Sequence, residues 1–439
     1  MSLTSFGVGM FTFWTVPTGE IEVWGERRRQ HSSMFGPVTE LLERVVVVGA
    51  SLAGLRAAET LRQKGFAGSV TVVGAEMHRP YDRPPLSKKL LSGEWEPDRI
   101  QLRQPDSFDD LDVEWKFGVA ASRLRVADTQ IDLTDGASLD FDGLIIATGA
   151  TPRRLPEQGR HQHVHVLRTL DDALGVRQQI AEGGKRVVVI GAGFIGLEVA
   201  AIAKQLDNEV TVLEGGSAPL IRGLGADMGA AIADIHRARG IDVRCGVTVD
   251  GLTATGVRVD GEELAADVVV VGIGVVPATQ WLDDSGLELR DGIVCDQTLR
   301  AAPGIYAAGD VARWPNPLFD EEMRVEHWTN AAEQGAIAAS NLLAVAGGEN
   351  AEPYAPVPFF WSDQLDQRIQ FLGRSAPDDE VVVGAGSVAD GKLLALYGRN
   401  GKLHGAFGLN APRWVMPMRK LLLEQVSFDA AVAHAATLQ

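Results

Sequence analysis

The amino-acid sequence predicts an α/β protein in which two parallel-sheet units are followed by a C-terminal α+β domain. Three observations lead there. Runs of β-branched residues at 45–48 and 187–190 each end in a glycine-rich turn and pass into helix-forming sequence. A second such run, at 69–73 and again at 209–213, follows each of those helices. Runs that are apolar throughout, not alternating, suit strands covered on both faces, the setting of a parallel sheet. Past residue 350 the pattern changes. Short runs such as 368–372 and 393–397 read as period-2 strands of an antiparallel sheet, and a helix pair closes the chain, the order of an α+β domain.

Length and composition bound the answer. A chain of 439 residues exceeds a single core and predicts two or three domains. Hydrophobic residues at 45% and charged residues at 23% give the balance of a globular protein. The apolar runs are too short to span a bilayer. A formal charge of −17 argues against binding nucleic acid or an anionic membrane surface. The two cysteines, Cys245 and Cys295, lie far apart and form no CxxC pair. That excludes a disulfide framework and predicts a reducing, cytoplasmic compartment. Residues 1–43 read as a flexible N-terminal extension. They carry aromatics at Phe11–Trp14 and a basic cluster at Arg27–Arg29 but no sustained apolar core of a cleaved signal, and Met34 is an alternative start.

The first βαβ unit turns at Gly49-Ala-Ser51-Leu-Ala-Gly54. Glycines at a strand-to-helix turn let a pyrophosphate approach the unpaired N–H groups and positive dipole end of the helix. Here Ser51 replaces the usual second glycine, and Gly74 holds the place of the expected acid, with Glu76 two residues on. The second unit has the full pattern, Gly191-Ala-Gly193-Phe-Ile-Gly196, and its second strand ends in Glu214. A carboxylate there accepts hydrogen bonds from a ribose and repels a 2′-phosphate, and the following Gly215-Gly-Ser brings no arginine to offset that, so NADH is expected over NADPH. Two dinucleotide sites in one chain suit FAD at the first and NADH at the second, the pairing needed for hydride transfer between them. Two further strand-and-turn segments fit a flavin site: one ends in Ala147-Thr148-Gly149, the other in Gly309-Asp310, which delivers a carboxylate suited to a polyol hydroxyl.

Three more stretches carry a resemblance. Arg79-Pro-Tyr-Asp-Arg83-Pro-Pro-Leu-Ser-Lys88, Val325-Glu-His-Trp328-Thr-Asn and Phe359-Phe-Trp361-Ser-Asp-Gln, in the order set by the two glycine turns, resemble the ferredoxin reductases of bacterial oxygenase systems. These are flavoproteins of the glutathione-reductase type, and the likeness runs from Arg44 to the C-terminus. It implies that Lys88 lies beside the flavin N5 and pairs with Glu198, the pair forming the catalytic centre. It implies further that Arg83, Trp328 and Trp361 join Gly49, Ser51, Gly54, Glu76, Ala147, Thr148, Gly149 and Asp310 around FAD. A cation held near N5 favours hydride arrival, and a helix starting near Trp328 would aim its N-terminus at the pyrimidine edge of the ring.

No cysteine lies between Gly49 and Lys88, where disulfide reductases and peroxide-reducing relatives carry theirs. Electrons must therefore leave the flavin directly, to a one-electron protein carrier, a quinone, a dye or oxygen. No cysteine or histidine set for a cluster or zinc exists in the chain, so a carrier with a metal centre must be a separate protein. The resemblance implies a [2Fe–2S] ferredoxin feeding a cytochrome P450 or a ring-hydroxylating dioxygenase. An NADH oxidase or quinone reductase, or a redox sensor acting through interactions, are the alternatives. The expected division assigns residues 44–152 and 283–350 to a discontinuous FAD domain, 153–282 to an NADH domain and 351–439 to the C-terminal domain. Arg313, with some of Arg413, Arg419 and Lys420, is expected to form a basic face that steers an acidic ferredoxin.

Overall fold

The computed structural model describes residues 42–438 apart from Pro105. The expected N-terminal extension lies outside the described residues, except for its last two positions.

Each glycine turn springs from a parallel sheet. The first sheet has six strands, in the order Arg300–Ala302, Ile305–Ala307, Gly143–Ile146, Arg44–Val48, Ser69–Gly74 and Glu114–Phe117. All neighbours are parallel except the first pair. The second sheet has five parallel strands, Asp242–Cys245, Glu209–Glu214, Arg186–Ile190, Val268–Val271 and Val164–His165. In both, the glycine strand is central and its four β-branched residues are buried, as the unbroken apolar runs require.

The two units repeat each other in detail. The guanidinium and backbone amide of Arg44 both donate to Asp142, the residue just before Gly143–Ile146. Arg186 does the same with Asp267, the residue just before Val268–Val271. Each pair ties the start of the glycine strand to the start of its neighbour and so sets the register. Each unit also carries a three-stranded antiparallel sheet ahead of that neighbour: Ala121–Arg125, Gln130–Leu133 and Ser138–Asp140 in the first, Val249–Leu252, Gly256–Val259 and Glu262–Ala265 in the second. Between the two parallel sheets, Ala150–Pro152 and Val275–Pro277 run antiparallel where the chain leaves the first and returns to it.

The C-terminal part is a five-stranded antiparallel sheet, in the order Phe359–Gln364, Gln367–Gly373, Lys402–Leu409, Lys392–Arg399 and Glu380–Ser387. Its central strands are buried on both faces. Ile369, Phe371, Leu393, Ala395 and Tyr397 pack into the core of the second parallel unit. The alternate residues Leu372, Leu394 and Leu396 pack against Val415, Met418, Leu422 and Phe428 of the closing helices. One sheet thus serves two cores, so the runs at 369–372 and 393–397 are buried on both faces and lack the period-2 alternation expected of them. No helix among the described residues is long and apolar enough to cross a membrane.

Candidate active site

Both glycine turns open into one cleft, with a volume of about 1560 Å³. Every candidate site residue lines it except Gly54. Gly54 acts from beneath. A Cβ there would fall 1.8 Å from the Gly49 carbonyl oxygen, and one at Gly196 would fall 2.2 Å from that of Gly191. These third glycines let each helix settle onto its own turn. The first glycines have left-handed backbones, φ 120° at Gly49 and 101° at Gly191, and each lies against the neighbouring strand end, Ala147 or Gly272. The second position is different: nothing lies within 4 Å of a Cβ built on Gly193. That openness explains why Ser51 is accepted at the matching position of the first turn, where its Oγ receives a hydrogen bond from Arg83 Nε at 3.2 Å.

The acid missing from the first strand end returns from the loop. A Cβ at Gly74 would fall 2.5 Å from that of Ala50, so the strand end passes too close to the turn for a side chain. Glu76 supplies the carboxylate instead, accepting from Tyr81 Oη at 2.5 Å and from Arg83 at 2.5 Å. Arg83 also donates to the Arg168 carbonyl at 2.6 Å, and the Arg168 guanidinium pairs with Asp310 at 2.9 Å. A polar chain therefore runs from Ser51 and Glu76 to Asp310 along the cleft. Arg168 escaped the reading of the sequence; the only cue was its place before Thr169, whose capping box with Asp172 starts a helix.

In the second unit, Glu214 accepts from the backbone N–H of Ala192 at 2.8 Å and of Gly216 at 2.7 Å. The carboxylate braces the glycine turn while facing the cleft.

Where the two units meet, Lys88 Nζ lies 2.6 Å from Glu198 Oε2. Pro84 and Pro85 begin the short 3-10 turn that precedes Lys88, fixing its approach, and Nζ also donates to the Pro84 carbonyl at 3.2 Å. Glu198 is 2% exposed, and burial raises its carboxyl above the ordinary range, against the pull of Lys88 and two serines. Ser362 Oγ donates to Oε1 at 2.5 Å, and Ser87 Oγ donates to Oε2. Both serines sit inside the stretches that carried the resemblance, so the motifs held them although only the lysine and glutamate were singled out.

Trp328 opens the helix Trp328–Ala346, and its indole Nε1 donates to Asp82 at 2.7 Å. Its ring meets Trp361 edge-on, with centroids 6.2 Å apart. His327, just before it, is half-buried; burial pushes its imidazole down to about 3, so it stays neutral, and its buried Nδ1 has no hydrogen-bond partner among the described residues. An orphaned polar atom in the lining of a large cleft fits a site made for a ligand with hydrogen-bonding edges, as do the two glycine cradles. Cys295 is buried and Cys245 half-buried, and neither lines the cleft. Arg313 is not the free cation expected of a docking face: it pairs with Glu322 and, at 3.7 Å, with Asp291.

A fold with two dinucleotide-type turns facing one cleft across a lysine paired with a buried glutamate defines a pyridine-nucleotide oxidoreductase. Residues 43–335 match the pyridine nucleotide-disulphide oxidoreductase family, and residues 359–438 match the reductase C-terminal family. The chain is 36% identical over 390 residues to rhodocoxin reductase of Rhodococcus erythropolis, covering 87% of this chain and 90% of that one. It is 35% identical over 397 residues to the ferredoxin–NAD(+) reductase component of the p-cumate 2,3-dioxygenase system of Pseudomonas putida, covering 89% and 96%. The crystal structure of the covalent putidaredoxin reductase–putidaredoxin complex superposes with a TM-score of 0.84 at 31% identity, covering 90% of this chain and 99% of that one. The chain belongs to the pyridine nucleotide-disulphide oxidoreductase family, in its ferredoxin reductase branch.

Proposed function

We propose that this chain is an NADH-dependent ferredoxin reductase. It takes a hydride from NADH onto FAD and delivers electrons singly to a [2Fe–2S] ferredoxin that serves a cytochrome P450 or a ring-hydroxylating dioxygenase. The observation that carries this reading is the Lys88–Glu198 pair at the junction of two glycine turns, in a cleft whose described lining holds no cysteine. When bound, FAD supplies the step from a two-electron donor to a one-electron acceptor.

We assign the chain's residues to that work as follows. Gly49, Ser51, Gly54, Glu76, Arg83, Ala147, Thr148, Gly149 and Asp310 hold FAD, with Arg168 keeping Asp310 in place. Trp328 and Trp361 flank the ring. Gly191, Gly193, Gly196 and Glu214 hold NADH. Lys88 keeps a positive charge at the reacting edge, and Glu198 with its two serines keeps Lys88 there. We divide the chain into an FAD domain of residues 44–152 and 283–350, an NADH domain of 153–282 and a C-terminal domain of 351–439. Two cysteines that form no disulfide support a cytoplasmic setting. The carrier's docking face includes the exposed Arg413 and Lys420; Arg313 contributes little charge because Glu322 offsets it.

The test is anaerobic. NADH should bleach the flavin's visible absorption, and mixing with an oxidised [2Fe–2S] ferredoxin should restore it as the ferredoxin is reduced. A flavin that bleaches but returns no electrons to any ferredoxin contradicts the reading.

A further inference from the structure

The helix Ile221–Ala238 is broken near its start. Gly225 has φ 77° and ψ 174°, outside helical space, and Leu220 just before the helix has φ 54° and ψ 17°. Residues 221–224 therefore form an isolated turn between two left-handed positions, one of them a leucine that adopts this backbone only under outside restraint. The non-helical backbone at Gly225 breaks the helix there and leaves the carbonyls just ahead of it open to donors from outside the helix.

Those carbonyls are taken by another part of the chain. Ser375 Oγ donates to the Gly223 carbonyl at 2.8 Å, and Tyr397 Oη donates to the Leu224 carbonyl at 2.7 Å. Both donors belong to the C-terminal domain, and Tyr397 is 1% exposed. On its other side the turn meets the second glycine motif. Leu220 N–H donates to the Ala192 carbonyl at 3.1 Å, and a Cβ on Gly223 would lie 3.4 Å from the ring of Phe194. Phe194 in turn packs on Phe360 of the C-terminal sheet, with centroids 4.7 Å apart. The turn is thus held between the glycine loop and the C-terminal domain. At its tip Arg222 is exposed, lines the cleft, and enters no ion pair among the described residues. The residues after Glu214 bring no cation to this wall; the turn brings one from a separate segment.

We propose that Ser375 and Tyr397 are positioning residues for the nicotinamide nucleotide: by holding the Gly223 and Leu224 carbonyls they fix the turn 221–224, which presents Arg222 to a phosphate of the dinucleotide. The C-terminal domain, which also lends Ser375 to the cleft wall, then sets coenzyme affinity by holding this turn. This rests on the proposed NADH site.

The test is calorimetric titration of the FAD-loaded full chain with NAD+, alongside steady-state kinetics. Removing two hydroxyls in Ser375→Ala/Tyr397→Phe is expected to weaken NAD+ binding about tenfold and to raise the KM for NADH while kcat changes little. Arg222→Gln, on the surface and unable to disturb the core, is expected to weaken binding to a similar degree. The triple variant should be little worse than either, because a released turn no longer presents Arg222. Arg239→Gln removes a different link between the same two domains, the 2.5 Å pair with Asp366, and should bind NAD+ as the wild type does. Loss of affinity for both NAD+ and NADP+ in Arg222→Gln identifies the pyrophosphate as the partner, and loss for NADP+ alone overturns the contact with NAD+. Unchanged binding in both Arg222→Gln and the double variant overturns the proposal, as does an equal loss in Arg239→Gln. If Glu214→Ala weakens NAD+ binding while the turn variants do not, the positioning role fails alone. A wild-type chain that takes up no NAD+ overturns the nucleotide site with it.

Discussion

Lys88 and Glu198 meet at 2.6 Å although they come from different glycine units, and Ser87 and Ser362 complete the carboxylate's hydrogen bonding from two further directions. The pair is a junction of three parts of the chain. On the proposed assignment Lys88 holds its charge at the reacting edge of the flavin, so a change of that charge would act on flavin reduction. Lys88→Met is expected to slow flavin reduction by NADH about a hundredfold, the order seen when one electrostatic stabiliser is removed. Glu198→Gln keeps the shape and the serine contacts and should cost less. Anaerobic stopped-flow bleaching measures both, and rates within twofold of wild type would remove Lys88 from the catalytic centre.

Glu214 braces Ala192 and Gly216 while facing the cleft. Glu214→Ala should therefore raise the KM for NADH by about ten- to a hundredfold, the worth of hydrogen bonds to a charged group. The KM for NADPH should move far less, because a repulsive charge leaves with the bonds. Parallel kinetics with the two coenzymes settle it, and an equal change for both would mean that Glu214 acts only on the loop.

The glycines are not equivalent. Gly54→Ala places a methyl 1.8 Å from a backbone oxygen, and such overpacking costs about 3 kcal/mol or more. Purified Gly54→Ala should be depleted in flavin and melt early. Gly193→Ala meets nothing within 4 Å and should melt as the wild type does, losing only NAD+ affinity where the coenzyme backbone must approach. Equal melting of the two variants would contradict the packing argument.

Acid stability follows from the repeated register pairs. Arg186 holds the Asp267 carboxyl down, from 3.8 to about 2. A carboxyl lowered in the folded state adds stability above its ordinary value, and that stability is lost as the pH falls from 3.8 toward 2. The pair is partly exposed, so screening limits its worth to about 1 kcal/mol or less. Asp267→Asn should lower the melting temperature at neutral pH and show a smaller further loss between pH 4 and 2 than wild type. An unchanged acid limb would place the sensitivity elsewhere, with Asp142 as the next candidate.

The parallel units were legible because their strands are covered on both faces and their turns need glycine, two demands that leave marks in the residues themselves. Gly191, Gly193, Gly196 and Glu214 could be read from one short segment. Arg168, Ser375 and Tyr397 could not: each matters through a partner more than a hundred positions away, and nothing local distinguishes them from ordinary polar residues. The paired antiparallel sheets at 121–140 and 249–265 were missed for a different reason. Their strands are short, mixed in polarity and partly exposed, so neither a buried run nor a clean alternation marks them. Arg313 shows the limit of counting charges, since Glu322 cancels a cation that the linear sequence presents as available.

The central claim is that electrons leave this flavin for a separate one-electron carrier. Cytochrome c reduction by NADH, followed with the full chain in the presence and absence of a [2Fe–2S] ferredoxin, tests it most directly. The account predicts slow reduction without ferredoxin and a rate that rises and saturates with ferredoxin concentration. A rate that is the same with and without ferredoxin would contradict it and favour an oxidase or quinone reductase.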